Sequence, residues 1–297
     1  MATAAVIRAR IFDYLYGSGQ VVRPFAHRLN GAYTSGGTAV VDDGTKFTAG
    51  DIIEFQTDGN QARVESISAN TLTIQAGLNG TTDANQLDNA VLFKNPRFTI
   101  KKVDNATTEV LEGLEGRGIF VFGTGTIVLV AAQTFYDVTA TDIVDQYGVL
   151  AVYEKEATTL LPLNIPFRYY ANIHTTITTS GQGLHILSFG NSKATDTLYY
   201  TYAKKIDATA DLLVRQEELV VLGAAGRATA ADINPRTADP GKRTDRTVQP
   251  GQAARDARWF EAEFQRACWR EEALLAIEVK HALRQTRASA RIQRWHW

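Results

Sequence analysis

The chain is poor in the residues that usually announce chemistry. It has one cysteine, Cys268, in 297 residues, so no intrachain disulfide and no cysteine-built zinc site can form. A single thiol fits a reducing compartment. The five histidines (His27, His174, His185, His281, His296) are scattered, with no His-x-x-x-His pair to hold a metal. His174 and His185 fall in expected strands and read as structural. There is no P-loop, because Gly123-Thr-Gly125-Thr lacks the following Lys-Ser/Thr and reads as a hairpin turn. Gly113-Leu-Glu-Gly116-Arg-Gly118 does not match a dinucleotide fingerprint, and no Gly-x-Ser-x-Gly elbow occurs. Glu109, Glu112 and Glu115 have helical spacing and read as solvated. No cofactor, metal or catalytic set is expected. Long apolar runs are absent too. The most apolar stretch, 118–132, is broken by Gly-Thr-Gly-Thr into strand-length halves, which argues against a membrane span. The first ten residues lack the apolar core of a signal peptide. Asn79-Gly-Thr81 and Asn105-Ala-Thr107 match glycosylation acceptors only as common tripeptides.

Charge of one sign is also missing overall, with 31 basic against 32 acidic residues and a net charge of −1. That excludes a globally basic nucleic-acid binder and an acidic disordered chain. The balance hides a split. Residues 1–200 hold 14 basic and 19 acidic residues, a net of −5; residues 201–297 hold 17 and 13, a net of +4. All four tryptophans (Trp259, Trp269, Trp295, Trp297) lie in the last 39 residues.

The apolar spacing points to an α+β protein. It combines antiparallel β modules, a small β domain plus a β-sandwich, with N-terminal helices and a long C-terminal helix. Four stretches follow: an N-terminal helical segment (1–33), a small β domain (34–95), a helix plus β-sandwich (96–206) and a C-terminal helical region (207–297). Ile7, Ile11 and Leu15 repeat every four residues, predicting a helix from Ala4 to about Tyr16. Asp42-Asp43-Gly44 and Thr57-Asp58-Gly59-Asn60 read as hairpin turns, with strands at 52–55, 62–67 and 71–75. Apolar residues from Ile100 to Leu114 predict a helix over 98–114. Strands are expected at 118–122, 126–132, 169–178, 184–189 and 197–206, while 139–161 is ambiguous between strand and helix. Gly223-Ala-Ala-Gly226 would let another backbone come close. No Gly or Pro follows Gly251, so that stretch would span roughly 70 Å if wholly helical.

On a helical wheel of this last helix, Phe260, Phe264, Cys268, Leu275, Val279 and Ala282 share one face, a packing stripe. Lys280, Arg284, Arg287, Arg291 and Arg294 fall opposite, with Arg266 and Trp269, and no acid follows Glu278. Two readings stay open. The basic face is either a solvated surface suited to the helix dipole, or a contact for an acidic partner or a phosphate backbone. The tryptophans favour a protein partner over DNA.

Several segments together resemble the head-to-tail adaptor (connector, neck) proteins of tailed bacteriophages. Asp43-Gly-Thr-Lys-Phe-Thr-Ala-Gly-Asp-Ile-Ile-Glu54 is similar to their Gly-Asp-Ile-Ile module, which also recurs in other virion proteins. It continues into Ala62-Arg-Val-Glu-Ser-Ile-Ser-Ala-Asn-Thr-Leu-Thr-Ile74 and Leu78-Asn-Gly-Thr-Thr82. Asn95-Pro-Arg-Phe98, Asp196-Thr-Leu-Tyr-Tyr-Thr-Tyr-Ala-Lys-Lys205 and Glu218-Leu-Val-Val-Leu-Gly-Ala-Ala-Gly-Arg227 are similar in content and order. The resemblance implies a non-enzymatic virion structural protein. It would form a homo-oligomeric ring, a dodecamer, assembled in the host bacterial cytoplasm and placed in the neck. The ring would bind the portal protein on one side and a stopper or tail protein on the other. Genomic DNA would pass through its lumen during packaging without sequence-specific binding, and no membrane would be involved. Portal binding would fall to Trp259, Trp269, Lys280, Arg284, Arg287, Arg291, Arg294, Trp295 and Trp297. Two alternatives remain. One is another virion protein: a stopper, a tail tube or a capsid-associated protein. The other is a glycan-binding β protein using Tyr169, Tyr170, Tyr199, Tyr200 and Tyr202, although such tyrosines more often pack across strands.

Overall fold

A computed structural model describes residues 3–17, 25–130, 133–140, 142–144, 146–155, 162–171, 173, 182–187, 197–233 and 252–292. These residues form an α+β protein whose strand pairings are all antiparallel. The chain divides into two compact units. The first is Ala2–Val110 with Glu217–Phe264; the second is Leu111–Gln216 with Gln265–Trp297 and Met1.

The first unit opens with α1 (Ala4–Gly17), whose Ile7, Ile11 and Leu15 are buried as their spacing predicts. Six strands follow: β1 (Ala26–Arg28), β2 (Thr38–Val40), β3 (Ile52–Phe55), β4 (Gln61–Ser68), β5 (Thr71–Ala76) and β6 (Val91–Lys94). Their spatial order is β1-β6-β3-β4-β5-β2. Alternation sends Ile53, Phe55, Ala62, Val64, Leu72 and Leu92 into one core with Leu29, Tyr33, Val41 and Phe47. Each large apolar side chain so buried contributes about 1.5–3 kcal/mol. The turn 57–60 does join β3 to β4 as a hairpin. Gly59 is required there: its φ is +70°, and a Cβ would lie 2.9 Å from Ile100. The Asp42–Gly44 turn is not a hairpin, because β2 pairs with β5 and β3 with β4. Asp43 instead caps a short 3₁₀ turn, Gly44–Lys46, accepting from the Thr45 amide.

The Gly-Asp-Ile-Ile residues act as structural joints in this sheet. Gly50 takes a φ of +92°. Asp51 accepts from the Thr48 amide and hydroxyl, from Asn95 Nδ2, and from Lys94 Nζ at 2.9 Å. Ile53 enters the core. Glu54 is buried and accepts the Ile100 amide at 2.7 Å, satisfying an orphan donor at the start of α2 (Ile100–Gly116). Arg8 of α1 forks onto Asp104 of α2, with 2.8 and 2.7 Å bonds.

The first turn of α3 (Val214–Ile233) ends the second unit's share of that helix, and residues 217–233 belong to the first. The expected close approach at Gly223 and Gly226 occurs, and the partner is α4 (Gln252–Ile292). A Cβ on Gly223 would sit 2.9 Å from the Phe264 ring, and one on Gly226 would sit 3.1 Å from Phe260 Cβ. A carbon at Gly223 would force the Phe264 ring to shift, and one at Gly226 would leave Phe260 only a tight contact.

In the second unit, β7 (Val121–Val128), β9 (Val149–Lys155), β10 (Pro162–Asn164) and β13 (Thr197–Lys204) form a sheet of order β10-β9-β13-β7. A three-stranded sheet, β11-β12-β8, comprises β8 (Phe135–Asp137), β11 (Phe167–Tyr170) and β12 (Gly183–Ile186). The two sheets share one core: Ile127, Val149, Val152, Leu198 and Tyr200 from one, Tyr136, Leu184 and Ile186 from the other. The ambiguous stretch 139–161 thus contains β9. Residues 172 and 174–178 of the expected strand 169–178, and 188–189 of the strand 184–189, lie outside the described residues.

Gly123-Thr-Gly125-Thr is not a hairpin turn. It lies in the middle of β7, paired throughout with β13. The glycines are there for the rings opposite them. A Cβ on Gly125 would lie 2.2 Å from the Tyr200 ring, and one on Gly123 would lie 2.4 Å from the Tyr202 ring. Gly in a strand marks such a close approach as readily as a turn.

Candidate functional site

Two surfaces stand out once the core is accounted for. The first is a groove of about 610 Å³ in the first unit, lined by Arg10, Asp13, Tyr14, Gly17, Glu218, Asp256, Trp259 and Phe260. Helix α1 supplies Arg10 and Tyr14 one turn apart, and Asp13 and Gly17 one turn apart. Helix α4 supplies Asp256 with Trp259 and Phe260, again one turn apart. Glu218 comes from α3.

The groove has an aromatic side and a charged rim. Tyr14 meets Phe260 edge-on at 6.2 Å, and Trp259 meets Phe260 edge-on at 5.0 Å. Phe260 is buried and fixes both neighbours, while Trp259 keeps 51% of its surface exposed. Arg10 bridges two carboxylates, Glu217 at 3.0 Å and Glu218. The Tyr14 hydroxyl donates to Glu218 Oε1, and that bond, aided by burial, raises the Tyr14 pKa above the ordinary phenol value. Tyr14 therefore stays a neutral donor. Arg10 is occupied by its own acids, and the remaining lining charges, Asp13 and Asp256, are negative.

The second surface is the outward face of α4 in the second unit. Cys268, Glu271 and Leu275 are buried, as the wheel predicts for Cys268 and Leu275. Glu271 is the polar exception in that stripe. It accepts from Gln216 Nε2 at 2.8 Å and from Arg215 Nε at 3.0 Å, and Arg215 also forks onto Glu278. Gln216 further donates to the Phe120 carbonyl. On the other face Trp269, Leu274 and Ile277 are exposed by 65, 46 and 52%. Arg266, Arg270, Lys280 and His281 lie exposed around them.

The expected partner-binding residues are therefore distributed. Trp259 lines the groove, and Trp269 and Lys280 lie on the outward face of α4. Arg284, Arg287 and Arg291 belong to the helical backbone of α4, but their side chains lie outside the described residues. Arg294, Trp295 and Trp297 lie outside them altogether. The tyrosines weighed for glycan binding mostly pack. Tyr200 and Tyr202 are buried over glycines, Tyr199 stacks on Tyr153 at 5.8 Å, and the Tyr169 ring lies 2.4 Å from where a Gly148 Cβ would be. Sequence reasoning missed Arg10, Asp13, Tyr14, Glu218 and Asp256, because the groove is assembled from three helices. Its only local trace is the i,i+4 pairing of charged with aromatic or small residues.

Among the described residues no group of three His, Cys, Asp or Glu side chains is placed to hold a metal ion. His185 lies in β12 opposite Arg168 of β11, and His27 packs on Phe47 at 4.6 Å, with burial lowering its pKa. Among the same residues no helix is long and apolar enough to cross a membrane. Neither a family model, nor a curated protein, nor a solved structure matches this chain.

Proposed function

We propose that this chain is a non-enzymatic structural protein of a tailed-phage virion, the adaptor ring of the neck. It would join the portal to a stopper or tail protein and leave a lumen for genomic DNA. The observation that supports this reading best is the outward face of α4. Trp269, Leu274 and Ile277 are large apolar side chains left in solvent on a helix whose opposite face is packed. Such a patch, ringed by Arg266, Arg270 and Lys280, suits a partner protein with apolar and acidic surface. The α+β build of antiparallel modules and a 41-residue terminal helix fits an assembly part.

The test is negative-stain microscopy of the purified protein with and without portal. Closed rings that dock on the portal are expected. Rings that bind a tail tube or a capsid lattice instead would favour another virion part, and a particle that binds none of these would overturn the reading. A truncation after about residue 280 is expected to lose portal docking while keeping the β-sheet circular dichroism signal. Normal docking by that truncation would remove the C-terminal segment from the interface.

A further inference from the structure

Among the described residues the three sheets end in six edge strands, and five of these are blunted in ways that keep an edge from pairing. β1, β2, β8 and β10 are three residues long, and β11 is four. β10 opens with Pro162, β8 closes with Asp137, and β1 and β11 carry Arg28 and Arg168. β7 has none of these devices. It is eight residues long, without charge or proline, and it pairs with β13 in one unbroken register from Val121 to Val128. Among the described residues β13 is its only partner strand. The far side of β7 therefore presents N–H and C=O groups, at alternate residues, that no described strand uses.

The outward side chains of β7 are of one kind. Phe122, Thr124, Thr126 and Val128 all face solvent, Phe122 with 37% and Val128 with 59% of its surface. Such an edge takes an extended, uncharged strand that turns its own β-branched and aromatic residues the same way. β7 itself fits that description. Set antiparallel against its own copy about Gly125, it brings Thr124 opposite Thr126 and Phe122 opposite Val128, and the two-fold axis repeats each pair. Thr–Thr and aromatic–β-branched pairs are among those that stabilise a sheet, and no like charges meet. A slip of one residue would set the exposed residues of one copy against the core-facing residues of the other, so the pattern itself restricts the register.

We infer that β7 of one copy pairs with β7 of a second copy, antiparallel and two-fold about Gly125, and joins two four-stranded sheets into one. The same strand serves both partners, so the contact is isologous and closes as a dimer. The inference goes beyond the adaptor reading and does not rest on it. It concerns the chain free of portal, and a closed ring would be built through other surfaces.

The experiment uses the full chain and measures mass distribution by mass photometry across concentration and salt. Two double variants are compared with wild type: Thr124→Lys with Thr126→Lys, and Thr124→Lys with Thr126→Glu. Circular dichroism and thermal unfolding check that both are folded. Wild type is expected to dimerise. The first variant sets like charges opposite one another across the two-fold axis, and its dimer is expected to be at least tenfold weaker. The second sets opposite charges there, and it is expected to recover dimerisation, now weakened by salt. A wild type that stays monomeric, or a first variant that dimerises like wild type, would overturn the inference. A second variant as weak as the first would overturn the register. Dimerisation indifferent to β7 but lost in Trp269→Ser would also overturn the inference and place the contact on the outward face of α4. A β7-dependent dimer that does not dock on portal would sink the adaptor reading and leave this one standing. Docking rings from a chain that is monomeric when free would do the reverse.

Discussion

The two compact units hold their turns and strands by different physical means. In the first, buried or half-buried carboxylates serve as hubs. Asp83 accepts from the Tyr33 and Ser35 hydroxyls, the Gly36 amide and Asn60 Nδ2. Asp51 and Glu54 do the same for the turn that leads into β3 and the start of α2. In the second unit, aromatic rings lie over glycines: Tyr200 over Gly125, Tyr202 over Gly123, Tyr169 over Gly148 and Phe135 over Gly183. A carboxylate hub gathers several loose donors at once but responds to protonation. A ring over a glycine excludes any added carbon but is indifferent to acid. The comparison predicts that the β3 start and the Asp83 turn of the first unit titrate, and that the Gly123, Gly125, Gly148 and Gly183 positions of the second are sensitive to volume.

The largest effect should come from the second unit. Tyr200→Ala is expected to destabilise it by about 3–5 kcal/mol, read from urea unfolding. Gly125→Ala should cost about 2–3 kcal/mol, since the new Cβ would stand 2.2 Å from the ring. In the Tyr200→Ala background that cost should fall below about 1 kcal/mol. Equal costs in both backgrounds would show that ring and glycine are not coupled.

Next comes Glu54, whose pKa burial pushes up to about 7 despite the Ile100 amide and Gln61. A raised folded-state value means the ionised form is disfavoured. Its stabilisation is complete below the ordinary carboxyl pKa and is lost as pH rises through 7. Glu54→Gln removes that loss. Its stability relative to wild type should therefore grow by about 2–3 kcal/mol between about pH 4.5 and pH 8. A difference that does not change with pH would mean Glu54 is ionised at little cost.

Asp83 should show the opposite sign and the smallest effect. Burial raises its pKa, but the bonds from Ser35, Gly36, Tyr33 and Asn60 outweigh burial and lower it. Its stabilisation is present at neutral pH and lost as pH falls through the lowered value. Asp83→Asn is expected to cost about 1–2 kcal/mol at pH 7 and progressively less below about pH 4. Neither aspartate nor glutamate substitutions of this kind should have counterparts among the ring-over-glycine contacts. A pH-dependent Gly125→Ala cost would break the distinction between the units.

Much of the fold was readable along the chain. The Ile7/Ile11/Leu15 repeat, the Leu72 alternation and the Phe260/Phe264/Cys268/Leu275 stripe became buried faces because periodicity of 3.6 or 2 reports which side meets a core. The Gly223/Gly226 pair foretold a close helix. The misread elements have one cause in common. Gly123-Thr-Gly125-Thr and Asp42–Gly44 carry ordinary turn residues, and nothing local says whether a glycine serves a turn or a ring arriving from β13. Of the candidate site, Trp259, Trp269 and Lys280 were named from the sequence as partner-binding residues, and the structure leaves all three exposed. Asp13, Tyr14 and Glu218 were not, because they meet Trp259 only when α1, α3 and α4 pack.

By itself, then, the sequence determined the element types, the faces they bury, and the division into an acidic body and a basic, tryptophan-bearing end. These depend on spacing and composition, which short-range geometry converts directly into amphipathic surfaces. Only the tertiary structure decided which strands pair, why glycines stand inside β7, that Glu54 is buried with an elevated pKa, and that three helices bring carboxylates around Trp259. Those depend on residues tens or hundreds of positions apart. The free energy that joins them lies in close packing and desolvation, to which no local pattern is sensitive.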